Sequence, residues 1–188
     1  MLHTTFRKAR EAGACSSEYN KMARFLGGIK KYGENTPVPL DKILDVCGLD
    51  AALWCLRCII EPADREIRLL ACGFAEHTLP IFEKRYPDDR RPRKAVEVAR
   101  KFAEGKATKK ELIAAWAAAW AAAGDAAGAA AWDAAWAAAG DAAWAAARDA
   151  AWATAGAAAG DAAWDAAYTA ESQWQEQKFR EMLNNSGI

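Results

Sequence analysis

Three places in this chain hold residue types at spacings that chemistry can use: Cys55 with Cys58, Glu76 with His77, and the aspartates and arginines between Lys84 and Arg100. A C-x-x-C pair can share one metal ion or one disulfide. Here there is no second pair and no histidine at finger spacing, and Leu53, Trp54, Leu56, Ile59 and Ile60 surround the two thiols, so core cysteines are expected. Glu76-His77 lacks the second histidine of a zinc-protease helix, and His3 is the only other histidine, so a half-exposed, non-ligating His77 is expected. Gly27, Gly28 and Gly33 do not have dinucleotide-fingerprint spacing, and Gly105-Lys106 lacks the upstream glycine and the following Ser or Thr of a phosphate loop. No serine or cysteine stands in a nucleophile elbow. The chain is therefore expected to be no enzyme and to need no metal or cofactor; a catalytic reading would have to rest on Glu76, His77, Asp88 and Asp89.

The densest polar constellation is YPDDRRPRKAVEVAR from Tyr86, with Asp88, Asp89, Arg90, Arg91, Arg93 and Lys94. Guanidinium forks pair bidentately with carboxylate or phosphate, and a proline-stiffened loop loses little entropy when it binds. Tyr86, Asp88, Asp89, Arg91 and Arg93 are accordingly the expected binding surface. The competing reading is that these groups satisfy one another or the aspartates of the C-terminal half. Trp54 and Arg57, one helical turn apart, are possible neighbours of that surface, or else a core indole with a snorkelling arginine.

Helices must position these groups. Residues 3–26 read as a helix or a pair, and Gly27 to Pro39 as a looped or extended connector. Asp41–Val46 and Asp50–Glu61 read as two helices separated by Gly48, with Asp50 as N-cap. Arg65–Arg85 reads as a helix with a kink or break near Thr78, because Pro80 interrupts it. Tyr86–Pro92 is a loop, Arg93–Glu104 a helix stopped by Gly105, and Thr108 with Glu111 a capping box that opens the rest. No stretch alternates convincingly enough for a strand. An all-α multi-helix bundle is expected, as one domain 1–188, with an irregular helical half 1–105 and a repeat half 106–183.

The repeat half is a ladder of four-residue rungs from Glu111 to Glu171, headed by Trp116, Trp120, Gly124, Gly128, Trp132, Trp136, Gly140, Trp144, Arg148, Trp152, Gly156, Gly160, Trp164 and Tyr168 on an alanine background. Four residues advance about 400° around a helix, so the heads drift about 40° per rung and form one slowly winding stripe. Indoles beside glycine notches suit close helix approach, and the stripe is expected to carry the packing. Gly124-Asp125, Gly140-Asp141 and Gly160-Asp161 have the order of a helix stop followed by an N-cap, and would divide the ladder into helices of about 12–20 residues.

With 188 residues, 53% hydrophobic content and 25 basic against 25 acidic side chains, the chain can bury a sizeable core and has no net charge to draw it to nucleic acid. Its longest uncharged ladder stretch, Leu112 to Gly124, is too short to span a bilayer. Met1–Lys8 lacks the apolar core of a signal peptide, and five cysteines form an odd set, so a cytoplasmic protein with reduced thiols is expected. An indole stripe left unburied would make a seam for a homo-oligomer.

The order of TPVPLDKIL, GLDAALWCLR, YPDDRRPRKA and an Ala/Trp tail resembles the bacterial and phage-borne immunity-protein family with the Imm-5-like domain, over nearly the whole chain. Members often carry a second acidic residue where this chain has Ala51 after Asp50. The resemblance implies a protein that protects a bacterium or phage by sequestering a partner, a toxin or a defence protein, with the tail as support and no catalytic residues to carry over. A nucleotide immune signal held in a helical pocket, tryptophan on base and arginine on phosphate, is the alternative partner.

Overall fold

Helical spacing becomes helix almost everywhere that the computed structural model describes the chain, namely residues 1–126, 147, 151–154, 156, 157 and 161–185. The chain forms two compact units, Met1–Ala63 with Phe179–Ile188, and Asp64–Lys178.

In the first unit, Thr5 opens α1 (Phe6–Glu11) by accepting a hydrogen bond from the Lys8 backbone N–H at 3.1 Å. A turn leads to α2 (Ser16–Phe25), so the N-terminal stretch is a pair of helices. The connector keeps the turns that its glycines predict but also holds one helical turn, α3 (Ile29–Tyr32), and a short strand. That strand, β2 (Val38–Pro39), pairs antiparallel with β1 (His3–Thr4) in the register Thr4 to Val38 and His3 to Pro39. Two residues a side are too few to show alternation, which is why the sequence hides the pairing. α4 (Leu40–Cys47) and α5 (Leu49–Trp54) come next, then a 3₁₀ turn over Cys55–Cys58. Gly48 ends α4 and begins α5, with φ 88°. Its missing Cβ makes that left-handed backbone accessible, so one residue does both tasks and Asp50 sits inside the first turn of α5 instead of capping it.

Leu2, Phe6, Met22, Val38, Leu40 and Leu53 are buried in this unit's core. The unit also takes in the end of the last helix, where Phe179 and Leu183 are buried and Arg180 Nη2 donates to Asp45 Oδ1 at 2.8 Å.

In the second unit, α6 runs unbroken over Asp64–Arg85, with Pro80 inside it. Proline removes the bond to the Glu76 carbonyl at a cost of about 3 kcal/mol. Its neighbours Leu79 and Phe82 are buried, at roughly 1.5–3 kcal/mol each, so packing outweighs the break. α7 (Arg91–Ala103) packs against both α6 and α8 (Lys109–Ala126). It ends where Gly105 predicts: the Gly105 N–H reaches the Phe102 carbonyl and the Lys106 N–H the Lys101 carbonyl, at 3.0 and 2.7 Å. The capping box also forms, Thr108 N–H to Glu111 Oε2 at 2.7 Å and Glu111 N–H to Thr108 Oγ1 at 3.2 Å. α9 spans Asp161–Asn185, and Gly160 of the Gly160-Asp161 pair lies outside the described residues.

Two expectations about the ladder are corrected. α8 passes through Gly124 and Asp125 without a break, because one glycine among alanines costs only about 1 kcal/mol of helix propensity. The buried row of α8 is Leu112, Ala119 and Ala122, whereas Trp120 keeps 39% of its surface exposed, and Trp152 keeps 57% beside buried Ala151 and Ala153. Trp54, Trp116, Trp120, Trp152 and Trp174 each keep part of their surface exposed. Methyl side chains let helix axes approach closely, and the indoles lie at the flank of the contact. The Gly140-Asp141 boundary and the heads from Gly128 to Trp144 and Arg148 lie outside the described residues.

Candidate partner-binding site

Between Glu83 and Lys94 the chain places six basic side chains against three acidic ones. The end of α6, a five-residue loop and the start of α7 present them as one corner. Tyr86 closes α6, its N–H on the Phe82 carbonyl at 2.9 Å and its ring 5.0 Å from that of Phe82, while the Arg85 guanidinium lies 5.6 Å above it. The Asp89 N–H then turns back to the Tyr86 carbonyl at 3.1 Å.

Asp89 organises the entry into α7. Its Oδ1 accepts both the Arg91 backbone N–H and Nε–H at 3.0 Å, and its Oδ2 accepts from Nη2 at 2.7 Å. One carboxylate thereby satisfies an orphan N–H at the head of α7 and fixes a guanidinium fork. Pro92, in the first turn of α7, supplies a helical φ where no N–H is needed. Arg93 bridges back to α6: Nε and Nη2 both donate to Glu83, the latter at 2.6 Å. The hydrogen bond from Arg91 holds the Asp89 carboxyl below its ordinary value, and Arg93 does the same for Glu83.

Arg91 and Arg93 therefore each hold a carboxylate of the same corner. Asp88, Arg90 and Lys94 are exposed and line a shallow depression with Asp89 and Arg91. Among the described residues, none of these three takes part in an ion pair.

Trp54 and Arg57 belong to the first unit and the corner to the second. Arg57 stacks 4.9 Å over the half-buried Trp54 ring, and its Nε donates to the Trp54 carbonyl at 3.2 Å. The aromatic-cation contact between them is thus internal to this segment.

The cysteines are free, with Cys55 and Cys58 buried as expected. A hydrogen bond between them holds Cys58 below its ordinary value, with Thr4 Oγ1 3.4 Å from its sulfur, and the same bond together with burial pushes Cys55 up. Among the described residues no group of three His, Cys, Asp or Glu side chains is placed to hold a metal ion.

One arrangement carries no local signal in the sequence. His77 Nδ1 lies 2.8 Å from Oε2 of Glu171, whose side chain is only 1% exposed, and the imidazole stacks on Trp174 at 3.8 Å with 10° between planes. Gln175 Nε2 donates to Glu171 Oε1 at 2.9 Å and to the Ala147 carbonyl at 2.8 Å. A buried carboxylate that orients a half-exposed histidine is half of a general-base device. Glu76 instead pairs with Arg100 at 2.7 Å, and Asp88 and Asp89 lie beyond the end of α6, more than two turns from His77, so the four residues of a catalytic reading are not brought together.

A family model described as "Imm-5 like putative immunity protein" matches residues 51–182. No curated protein and no solved structure matches the chain.

Proposed function

Because the chain belongs to the Imm-5 like immunity-protein family, whose model covers well over half of it, we propose that it is a non-catalytic protector of a bacterium or phage that captures a protein partner, a toxin or a defence protein, at the α6–α7 corner. The observation that carries this reading is the division of labour there. Arg91 and Arg93, clamped on Asp89 and Glu83, stiffen the loop, and Asp88, Arg90 and Lys94 project from it. A rigid, net-basic projection loses little freedom on docking and steers an acidic surface toward itself. Tyr86, beneath Arg85, supplies an aromatic flank, and Trp54 with Arg57 forms a second aromatic-cation patch in the other unit.

A nucleotide signal is the less favoured partner. Arg91, Arg93 and Arg100 each already hold a carboxylate, and the Trp54 face carries Arg57, so stacking and phosphate contacts would have to displace existing partners.

The Arg90→Glu/Lys94→Glu double variant tests the assignment, since neither side chain holds the corner together. Capture of the partner from cognate lysate should fall at least tenfold and lose its salt dependence, with the circular dichroism unchanged. Undiminished capture would remove the corner from consideration. A saturable tryptophan-fluorescence response to cyclic nucleotides would move the reading to the small-molecule alternative.

A further inference from the structure

The 3₁₀ turn after α5 sets the thiols of the C-x-x-C pair, Cys55 and Cys58, at its first and last positions. With three residues per turn and about 2.0 Å of rise per residue, side chains at i and i+3 stand one above the other, about 6 Å apart along the axis. A disulfide needs Cα atoms about 4.4–6.8 Å apart and side chains that do not diverge. In an α-helix the same pair would be offset by about 60°. The chain tightens from α-helix into 3₁₀ geometry over these four residues, and so brings the pair into line.

The turn is also anchored from outside. Thr4 Oγ1 donates to the Cys58 carbonyl at 2.6 Å and lies 3.4 Å from its sulfur, and the Ile60 N–H reaches the His3 carbonyl at 2.8 Å. Cys58 Sγ lies 3.3 Å from the Cys55 carbonyl. The backbone at the end of the turn is therefore held by β1 through bonds that a change at the sulfurs leaves in place. The hydrogen bond between the thiols favours the thiolate of Cys58 against the opposing effect of burial, helped by Thr4 and by the charges of Arg57 and Lys8, and it keeps the proton on Cys55. One sulfur is set to attack and its neighbour to follow. Cys47 and Cys72 are different, since burial pushes them up to about 11 and about 12. Each residue of the pair keeps 7% of its surface exposed. Cys55 also lines an apolar cavity of about 120 Å³ in the first unit, which gives a molecule little larger than water room beside the sulfur.

We propose that Cys55 and Cys58 are a redox-active dithiol, a site of reversible modification at which a small peroxide closes an intramolecular disulfide. The Cys58 thiolate attacks one peroxide oxygen and the O–O bond breaks, leaving a sulfenic acid and a hydroxide that takes up the proton Cys58 had released. The Cys55 sulfur then attacks the sulfenic sulfur: the S–S bond forms, the S–O bond breaks, and the oxygen leaves as water with the Cys55 proton. Two thiols are oxidised and one peroxide is reduced to two waters. The site belongs to the first unit and does not depend on how the α6–α7 corner is used.

The test treats the intact, fully reduced chain with hydrogen peroxide at neutral pH, alkylates the remaining thiols and digests with trypsin in the absence of reductant. Cleavage after Lys42, Arg57 and Arg65 leaves Cys55 on residues 43–57 and Cys58 on residues 58–65, so the bond appears as a link between these two peptides. That link should be the main product, with fragmentation placing it at Cys55 and not at Cys47, an unchanged circular dichroism, and recovery of all five thiols on adding dithiothreitol. Cys55→Ser should abolish the link and leave Cys58 as a sulfenic acid that dimedone traps, whereas Cys58→Ser should leave Cys55 unlabelled. Because a serine in this turn can disturb the fold, the parent chain decides the matter without substitution. Oxidation confined to the exposed Cys15, or a bond from Cys47 to Cys58, would overturn the proposal.

Discussion

Asp89 shows how one short side chain can set the form of a surface. It accepts the first N–H of α7, grips Arg91 with both oxygens and so decides where the neighbouring charges stand. Because Arg91 holds its carboxyl below the ordinary value, the stabilisation from this pair is complete above about pH 4 and drains away as pH falls through the lowered value; Glu83 with Arg93 behaves alike. Carboxyl ¹³C titration should show both groups ionising below the usual range, and Arg91→Lys should return Asp89 toward it, since an ammonium cannot reproduce the fork. A titration of Asp89 unmoved by that substitution would contradict the pairing. The partnership of Asp89 with Arg91, two residues apart, was legible in the chain as the competing reading of that loop. Glu83 with Arg93 was harder, because it needs two helices folded against each other. Glu171 with His77 was invisible, since 94 residues separate them and only the packed fold supplies the contact.

At the scale of elements, local signals were read most reliably where they act within one turn. Thr108 and Glu111 make their reciprocal bonds and Gly105 closes α7, because capping is decided by neighbours. The departures have two causes: α6 continues through Pro80 because packing overrides a local preference, and α8 includes Gly124 because a single glycine among alanines costs little. Pro80 is itself exposed, so its ring contributes little to the packing that tolerates it. Pro80→Ala should therefore restore the missing backbone bond and stabilise the second unit by about 1–3 kcal/mol, less the chain entropy that proline removes from the unfolded state. Urea unfolding monitored in α6 would register this as a higher midpoint, and a lower midpoint would show that the proline is structurally required. The stripe of indoles is periodic, but periodicity alone does not say which row of an alanine helix faces its neighbour, and in α8 the row with methyl groups does.

For the whole molecule, the division into units cuts across the division that composition suggests. α9 gives its first part to the second unit and its last turns to the first. Phe179 and Leu183 are fully buried, and together such side chains contribute about 3–6 kcal/mol. Removing 179–188 should lower amide protection in α1, α2 and α4 by at least 100-fold while α7 keeps most of its own, as read by hydrogen exchange. Equal protection with and without this segment would show that the first unit is complete in its first 63 residues.

The same discontinuity bears on biosynthesis. A ribosome delivers residues 1–63 early, yet the stretch that finishes their core emerges only after the long alanine-rich interval has been translated. At about 5–20 residues per second that delay lasts several seconds, during which the earliest-made helices wait, incompletely covered, for the last-made turns to arrive.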